Sequence, residues 1–119
     1  MTVQRVIQFV PDSVKQERIN IAVVVECDDG TILSAFTKDT PRLRAFAGHD
    51  PLWLITLRSE SKSWTAETLD RMEHDWLSSF RATERRCTLL EPQKALIDAA
   101  TRYLEAPQSF GMESQYHAD

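Results

Sequence analysis

The chain has 119 residues, 42% of them hydrophobic, with 14 basic against 18 acidic side chains and a net charge of −4. That is enough apolar material for one domain with a real core, and too little chain for two ordinary domains. The charges are interspersed rather than gathered into a basic stripe, which argues against nucleic acid as the main partner and leaves room for a basic protein partner.

In chain order, "VQRVIQFV" from Val3 to Val10 is rich in β-branched and aromatic residues and predicts a strand ending at Pro11. The loop that follows, through Arg18, is longer than a tight hairpin needs. A second strand is expected from Ile19 to Cys27, with Ile19, Ile21, Val23 and Val25 on a core face and Asn20, Ala22, Val24 and Glu26 on the other. "DDG", Asp28 to Gly30, reads as a tight turn into a third strand over Thr31 to Thr37, so the second and third strands should pair as an antiparallel hairpin.

The texture then changes. Thr40 is a candidate N-cap, Pro41 a first helical residue and Gly48 a stop, which predicts a short helix over Pro41 to Ala47. Asp50 and Pro51 favour a second helix over residues 50–62, although "LWLITL" by itself fits a buried strand equally well. From Thr65 to Arg81, Leu69, Met72, Trp76, Leu77 and Phe80 recur at helical spacing and predict one amphipathic helix. "RRCTLLE", Arg85 to Glu91, is a short β-type run ended by Pro92, and a last helix carrying Leu96, Ala99, Ala100, Tyr103 and Leu104 stops before Pro107.

The order is three strands, helices, one strand, one helix. It predicts an α+β domain over residues 1–106, a small antiparallel sheet of three N-terminal strands plus one late strand covered by helices on one face, followed by a flexible tail over residues 107–119. The N-terminal "MTVQRVIQFVPD" lacks the layout of a secretory signal, and no apolar run reaches the roughly 20 residues of a membrane span. A cytoplasmic protein is expected, with no membrane contact and with Cys27 and Cys87 as reduced thiols.

Few residues form a recognisable chemical constellation. His49, His74 and His117 are scattered and neither cysteine has a near partner, so no metal site is expected. His74 with Asp70 and Ser78 shares a helix side, a spacing that ordinary solvated helix faces produce far more often than catalytic dyads. Cys27 beside Asp28 and Asp29 has its thiolate disfavoured by like charge. With glycine only at Gly30, Gly48 and Gly111, neither a phosphate loop nor a dinucleotide fingerprint can be written, and no cofactor is expected. Trp76 and Trp53 are assigned to the core, while Trp64 is either half exposed or a staple on the helix that follows it.

The concentrated polar group is Asp12, Lys15, Glu17, Arg18 and Asn20, with Asp39, Arg42 and Arg44 brought near by the far end of the hairpin. Glu17, Arg18 and Asn20 either turn inward and satisfy loop backbone groups, the more common arrangement, or face outward with Arg42 as an anion- or partner-binding edge.

"VPDSVKQERINIAVVVECDDGTI" followed by "DTPRLRAFAG" resembles the bacterial family catalogued as domain of unknown function 3037. The resemblance rests on Phe9, Pro11, Asp12, Glu17, Arg18, Asn20, Val23 to Val25, Arg42 and Leu43 and is clearest over residues 7–46, with Ala22 where glycine is usual. That family has no assigned activity, and its members are often encoded beside a HipA-like serine/threonine kinase of the toxin–antitoxin type. The resemblance therefore implies a non-catalytic accessory or interaction protein, plausibly a partner of such a kinase, with Asp12, Glu17, Arg18, Asn20 and Arg42 as the candidate contact residues. The alternatives are a small-ligand or anion-binding protein, or an enzyme, using Glu17, Arg18, Asn20 and Arg42 as a polar pocket. Homo-oligomerisation through a sheet edge is a third possibility.

Overall fold

The β-branched N-terminal third forms β1 (Thr2–Phe9), β2 (Ile19–Glu26) and β3 (Ile32–Phe36), all antiparallel. The computed structural model describes residues 1–11, 17–38, 40–47, 52–75 and 79–104, with the backbone alone at 46 and 47. The expected hairpin is present: β2 pairs with β3 from Ala22 opposite Phe36 to Glu26 opposite Ile32. Its turn works as the acidic-glycine sequence predicts. Gly30 sits at φ +90°, a conformation that side-chain-bearing residues rarely adopt. The Thr31 N–H donates to Asp29 Oδ1 at 2.9 Å, and hydrogen bonds from Thr31 hold the Asp29 carboxyl below its ordinary pKa.

The β1–β2 ladder contains a bulge that the alternation of residue types does not reveal. Ile7 lies opposite Ala22 while Gln8 lies opposite Asn20, which leaves Ile21 as the extra residue. The bulge reverses the facing of everything beyond it. Ile19, Ile21, Ala22 and Val24 join one core cluster and Val23 and Val25 join the other, so the expected single core face of Ile19, Ile21, Val23 and Val25 is divided between both sides of the sheet. Asn20 likewise parts company with Ala22 and Val24.

Four helices are described: α1 (Pro41–Ala47), α2 (Trp53–Glu60), α3 (Ala66–His74) and α4 (Pro92–Tyr103). Thr40 caps α1 as predicted, its Oγ1 accepting the Leu43 N–H at 3.1 Å. Within the segment expected to be helical over residues 50–62, α2 runs into a 3-10 turn at Ser61–Ser63, while Gly48, Asp50 and Pro51 lie outside the described residues. Thr65 caps α3 through the Thr68 N–H at 3.2 Å. Trp64, one residue before that cap, is buried with Leu69 and packs 6.2 Å from Phe36, centroid to centroid. This is the staple arrangement.

The helix expected over Thr65 to Arg81 is corrected to Ala66–His74. Phe80 and Arg81 belong instead to β4 (Phe80–Ala82), which pairs with β1. Long-range pairing overrides helical spacing here: Phe80 sits opposite Phe9, 5.5 Å between rings, and both rings stack on Trp53 at 5.1 and 4.7 Å. Trp76, Leu77 and Ser78 lie outside the described residues. The late strand predicted in Arg85 to Glu91 is β5 (Arg86–Thr88).

The result is α+β, with a sheet of five described strands in the order β3-β2-β1-β4 and β5 on the same edge of β1 as β4. Thr83 spans the break between β4 and β5. Its N–H donates to the Val6 carbonyl at 2.9 Å and its Oγ1 accepts the Val6 N–H at 3.0 Å. Helical cover extends to both faces, because the bulge makes both faces apolar: Leu43, Leu54, Leu57 and Leu69 from α1 to α3 pack on one side, and Ala95, Leu96, Ala99 and Ala100 of α4 on the other. No helix among the described residues is long and apolar enough to cross a membrane.

A buried ion pair, Arg5 with Glu26, is embedded in the first face. Arg5, only 1% exposed, donates from Nε to Glu26 Oε2 at 3.0 Å, from Nη1 to the Leu69 carbonyl at 3.0 Å and to Glu73 Oε1 at 3.3 Å, and from Nη2 to Asp70 Oδ1. Arg85 Nη2 adds a second cation to Glu26 Oε1 at 3.2 Å. A buried guanidinium persists only when its charge and donors are matched in this way.

Candidate functional site

The α4 face is apolar only where the helix lies on it. Towards the C-terminal end of α4 the strands present Gln8 and Asn20, neighbours across the bulge. Gln8 Nε2 donates to Asn20 Oδ1 at 2.9 Å, and Asn20 Nδ2 donates to the Tyr103 carbonyl at 3.0 Å. Asn20 therefore ties β1 and β2 to the last turn of α4, where a carbonyl has no helical partner of its own. Tyr103 is held from the other side by Arg86, whose Nη1 donates to the hydroxyl and whose guanidinium carbon lies 5.7 Å from the ring centroid.

Three hollows share walls around this amide pair. The smallest, about 110 Å³, is lined by Arg18, Asn20, Thr37, Thr40, Arg42 and Tyr103 with Ile19 and Leu43. A second of about 420 Å³ shares Asn20 and Tyr103 with it and adds Gln4, Gln8, Glu84 and Arg86. The third, about 560 Å³, shares Arg18 with the first and Gln8 and Glu84 with the second, and brings Glu73, His74 and Arg81. Five arginines, Arg5, Arg18, Arg42, Arg81 and Arg86, thus line these neighbouring hollows, together with the carboxylates of Glu73 and Glu84. Glu73 is also bound to Arg5. A chain of net charge −4 carries a locally cationic surface here.

Of the residues singled out in the sequence, Arg18, Asn20 and Arg42 come together in the smallest hollow. Glu17 is exposed beside Arg18. Asp12, Lys15 and Asp39 lie outside the described residues. Asp70 is committed to Arg5, His74 is exposed on the wall of the largest hollow, and Ser78 is outside the described residues, so the helix-side trio is not assembled among them. The Cys27 thiol is pushed up in pKa, by burial first and then by Asp29 and Asp28, which keeps it protonated rather than nucleophilic near neutral pH. Among the described residues no three His, Cys, Asp or Glu side chains are grouped so that they could hold a metal ion.

Sequence reasoning missed Gln8, Arg81, Arg86 and Tyr103. The available signal was the polarity of β1 itself. Gln4, Arg5 and Gln8 interrupt an otherwise apolar strand, and each proves to be hydrogen-bonded to another element.

The family described as "Protein of unknown function (DUF3037)" matches this chain over residues 5–106. The chain belongs to that family. The matched span holds every residue lining the three hollows except Gln4, and it runs far beyond the stretch at 7–46 where the resemblance is easiest to see. No curated protein and no solved structure matches this DUF3037 chain.

Proposed function

We propose that this DUF3037 protein is a non-catalytic interaction module of the cytoplasm, an accessory partner of a HipA-like serine/threonine kinase in a toxin–antitoxin-type operon, and that it engages its partner through the Arg18–Arg42 end of the sheet. The observation that carries this reading is the joint exposure of Glu17, Arg18 and Arg42 at one edge, beside a hollow of only about 110 Å³. Arginines on a rigid rim, next to a recess too small for a sizeable substrate, are suited to docking against another protein's polar side chains. The kinase as partner rests on the family resemblance alone. Co-expression with the neighbouring kinase and purification through a tag on one of them is the test. The two proteins should co-purify, and Glu17→Ala with Arg18→Ala should release the kinase while the variant still folds; absence of the kinase from the wild-type eluate would end this reading.

A second reading, binding of a small anion, is favoured by one specific feature: Arg18, Asn20 and Arg42 line a single recess. Saturable binding of an anion by the isolated protein distinguishes it from a purely protein-facing rim.

A further inference from the structure

The smallest hollow differs from its neighbours in chemistry as well as size. Its polar lining groups, Arg18, Arg42, Thr37, Thr40 and Asn20, include no carboxylate among the described residues. The bonds already made there leave Thr40 and Asn20 with protons to donate, whereas Thr37 Oγ1 donates to the Lys38 carbonyl at 3.1 Å. Thr40 Oγ1 accepts from the Leu43 N–H, a bond that does not use the hydroxyl proton. Asn20 has its oxygen occupied by Gln8 and one amide proton on Tyr103, which leaves the second amide proton to offer. Arg18 and Arg42 each have at least one interaction within the protein, so neither is a freely waving chain, and a guanidinium with five N–H donors can serve a neighbour and a ligand together.

Size narrows the ligand further. At roughly 30 Å³ per water, 110 Å³ is room for about four waters, which suits one tetrahedral oxyanion and excludes a nucleotide. Arg18 is also a wall of the 560 Å³ hollow, where Arg81, largely buried, and His74 stand beside the carboxylates of Glu73 and Glu84.

We propose that the Arg18–Arg42 hollow binds a phosphoryl group, either as inorganic phosphate or as a phosphate monoester on a side chain of the protein partner. The monoester source rests on the interaction reading given above; phosphate binding by the isolated chain does not. Planar guanidinium forks, the Thr40 hydroxyl and the second Asn20 amide proton match the three terminal oxygens of such a group, and a dianion gains from two arginines where a single carboxylate needs only one.

The experiment is a two-dimensional NMR titration of the ¹⁵N-labelled full chain with inorganic phosphate, with ionic strength held constant so that general charge screening does not vary. A parallel titration uses a short serine peptide with and without phosphorylation. Saturable shifts centred on the amides of Arg18, Asn20, Thr40 and Leu43 are expected. Arg18→Gln and Arg42→Gln should each weaken binding about tenfold or more, the scale of losing a hydrogen bond to a charged group. Lys62→Gln, the same charge change on the 3-10 turn after α2, should leave it unchanged. Thermal melts of all three variants establish that the fold is intact. Absence of saturation, or equal weakening by Lys62→Gln, overturns the proposal. Tighter binding of the phosphorylated peptide than of phosphate supports a partner-borne monoester; phosphate binding with no gain from the peptide supports the site and overturns that source. Failure of kinase co-purification alone touches the interaction reading and leaves the phosphate site standing.

Discussion

The two faces of the sheet solve the problem of buried polarity in opposite ways. Under α1 to α3, large side chains such as Ile7, Phe36, Leu57 and Leu69 close the core, and the buried guanidinium of Arg5 is matched by the buried Glu26, by Asp70 and Glu73 nearer the surface, and by the Leu69 carbonyl. Under α4, Ala95, Ala99 and Ala100 let the helix approach Val6, Val23 and Val25 closely, but beyond Tyr103 the same face carries Gln8 and Asn20 beside open hollows lined with arginine. The first face uses its charge to hold the protein together. The second carries exposed charge at Arg18 and Arg42, and this difference separates an arginine locked into the fold from arginines at its surface.

The largest effect should come from breaking the closed face. Arg5→Met keeps the bulk of the side chain but leaves Glu26 buried with only Arg85 beside it. Removing one partner of a buried ion pair typically costs about 3–5 kcal/mol. Urea unfolding should register a loss of that order, and adding Glu26→Gln should recover part of it, because the buried carboxylate then left with Arg85 alone is gone. A loss below about 1 kcal/mol, inside the range of an exposed salt bridge, would mean that the two faces do not differ in the way described.

The comparison also explains what could be read from the sequence. The three N-terminal strands and their hairpin were legible because β-branched runs and an acidic-glycine turn act locally. Thr40 and Pro41 marked a helix start for the same reason. The bulge at Ile21 was not legible, since a run of Ile, Ala and Val has no polar residue to show which face each member takes. β4 was hidden because Phe80 lies at helical spacing from Leu69 and Met72 yet gains more from pairing with Phe9. In the site, Arg18, Asn20 and Arg42 could be grouped because a hairpin returns the chain to its starting end. Arg81, Arg86 and Tyr103 arrive through pairings some 70 to 80 residues apart in sequence, as with Gln8 opposite Arg81 and Asn20 against Tyr103, and no local pattern announces them.

A smaller loss is expected from overfilling the α4 face. Ala99 is fully buried against the valines, so Ala99→Leu must push the helix outward or force neighbours off their rotamers, at about 1–3 kcal/mol. The informative readout is directional. Because the last turn of α4 forms the wall shared by two hollows through Tyr103, the displacement should also alter amide shifts at Asn20 and Arg86, whereas Leu54→Val on the opposite face should leave those shifts in place.

Asn20→Ala tests the joint between the closed and open parts of the α4 face. It removes the acceptor for Gln8 and the donor to the Tyr103 carbonyl at a half-buried position, which should cost about 1 kcal/mol. Hydrogen exchange should quicken at the Leu104 N–H, which closes the last turn on Ala100, more than at the Ala95 N–H at the other end of the helix. Equal change at both ends would show that Asn20 supports the helix generally rather than its terminus.

The smallest stability effect should come from the exposed arginines of the open hollow. Arg18→Gln and Arg42→Gln remove charge from solvated positions outside both core clusters, so each should shift the unfolding free energy by no more than about 0.5 kcal/mol. Set beside Arg5→Met, the same residue type then spans a several-fold range of structural cost according to the face it occupies. A guanidinium whose removal costs the fold almost nothing can be retained for what it binds, whereas the cost of losing Arg5 is accounted for by the fold. If Arg18→Gln or Arg42→Gln destabilised the protein as much as Asn20→Ala, these side chains would be braces of the loop and the helix start, and the division between a face that closes and a face that recognises would fail at its most exposed point.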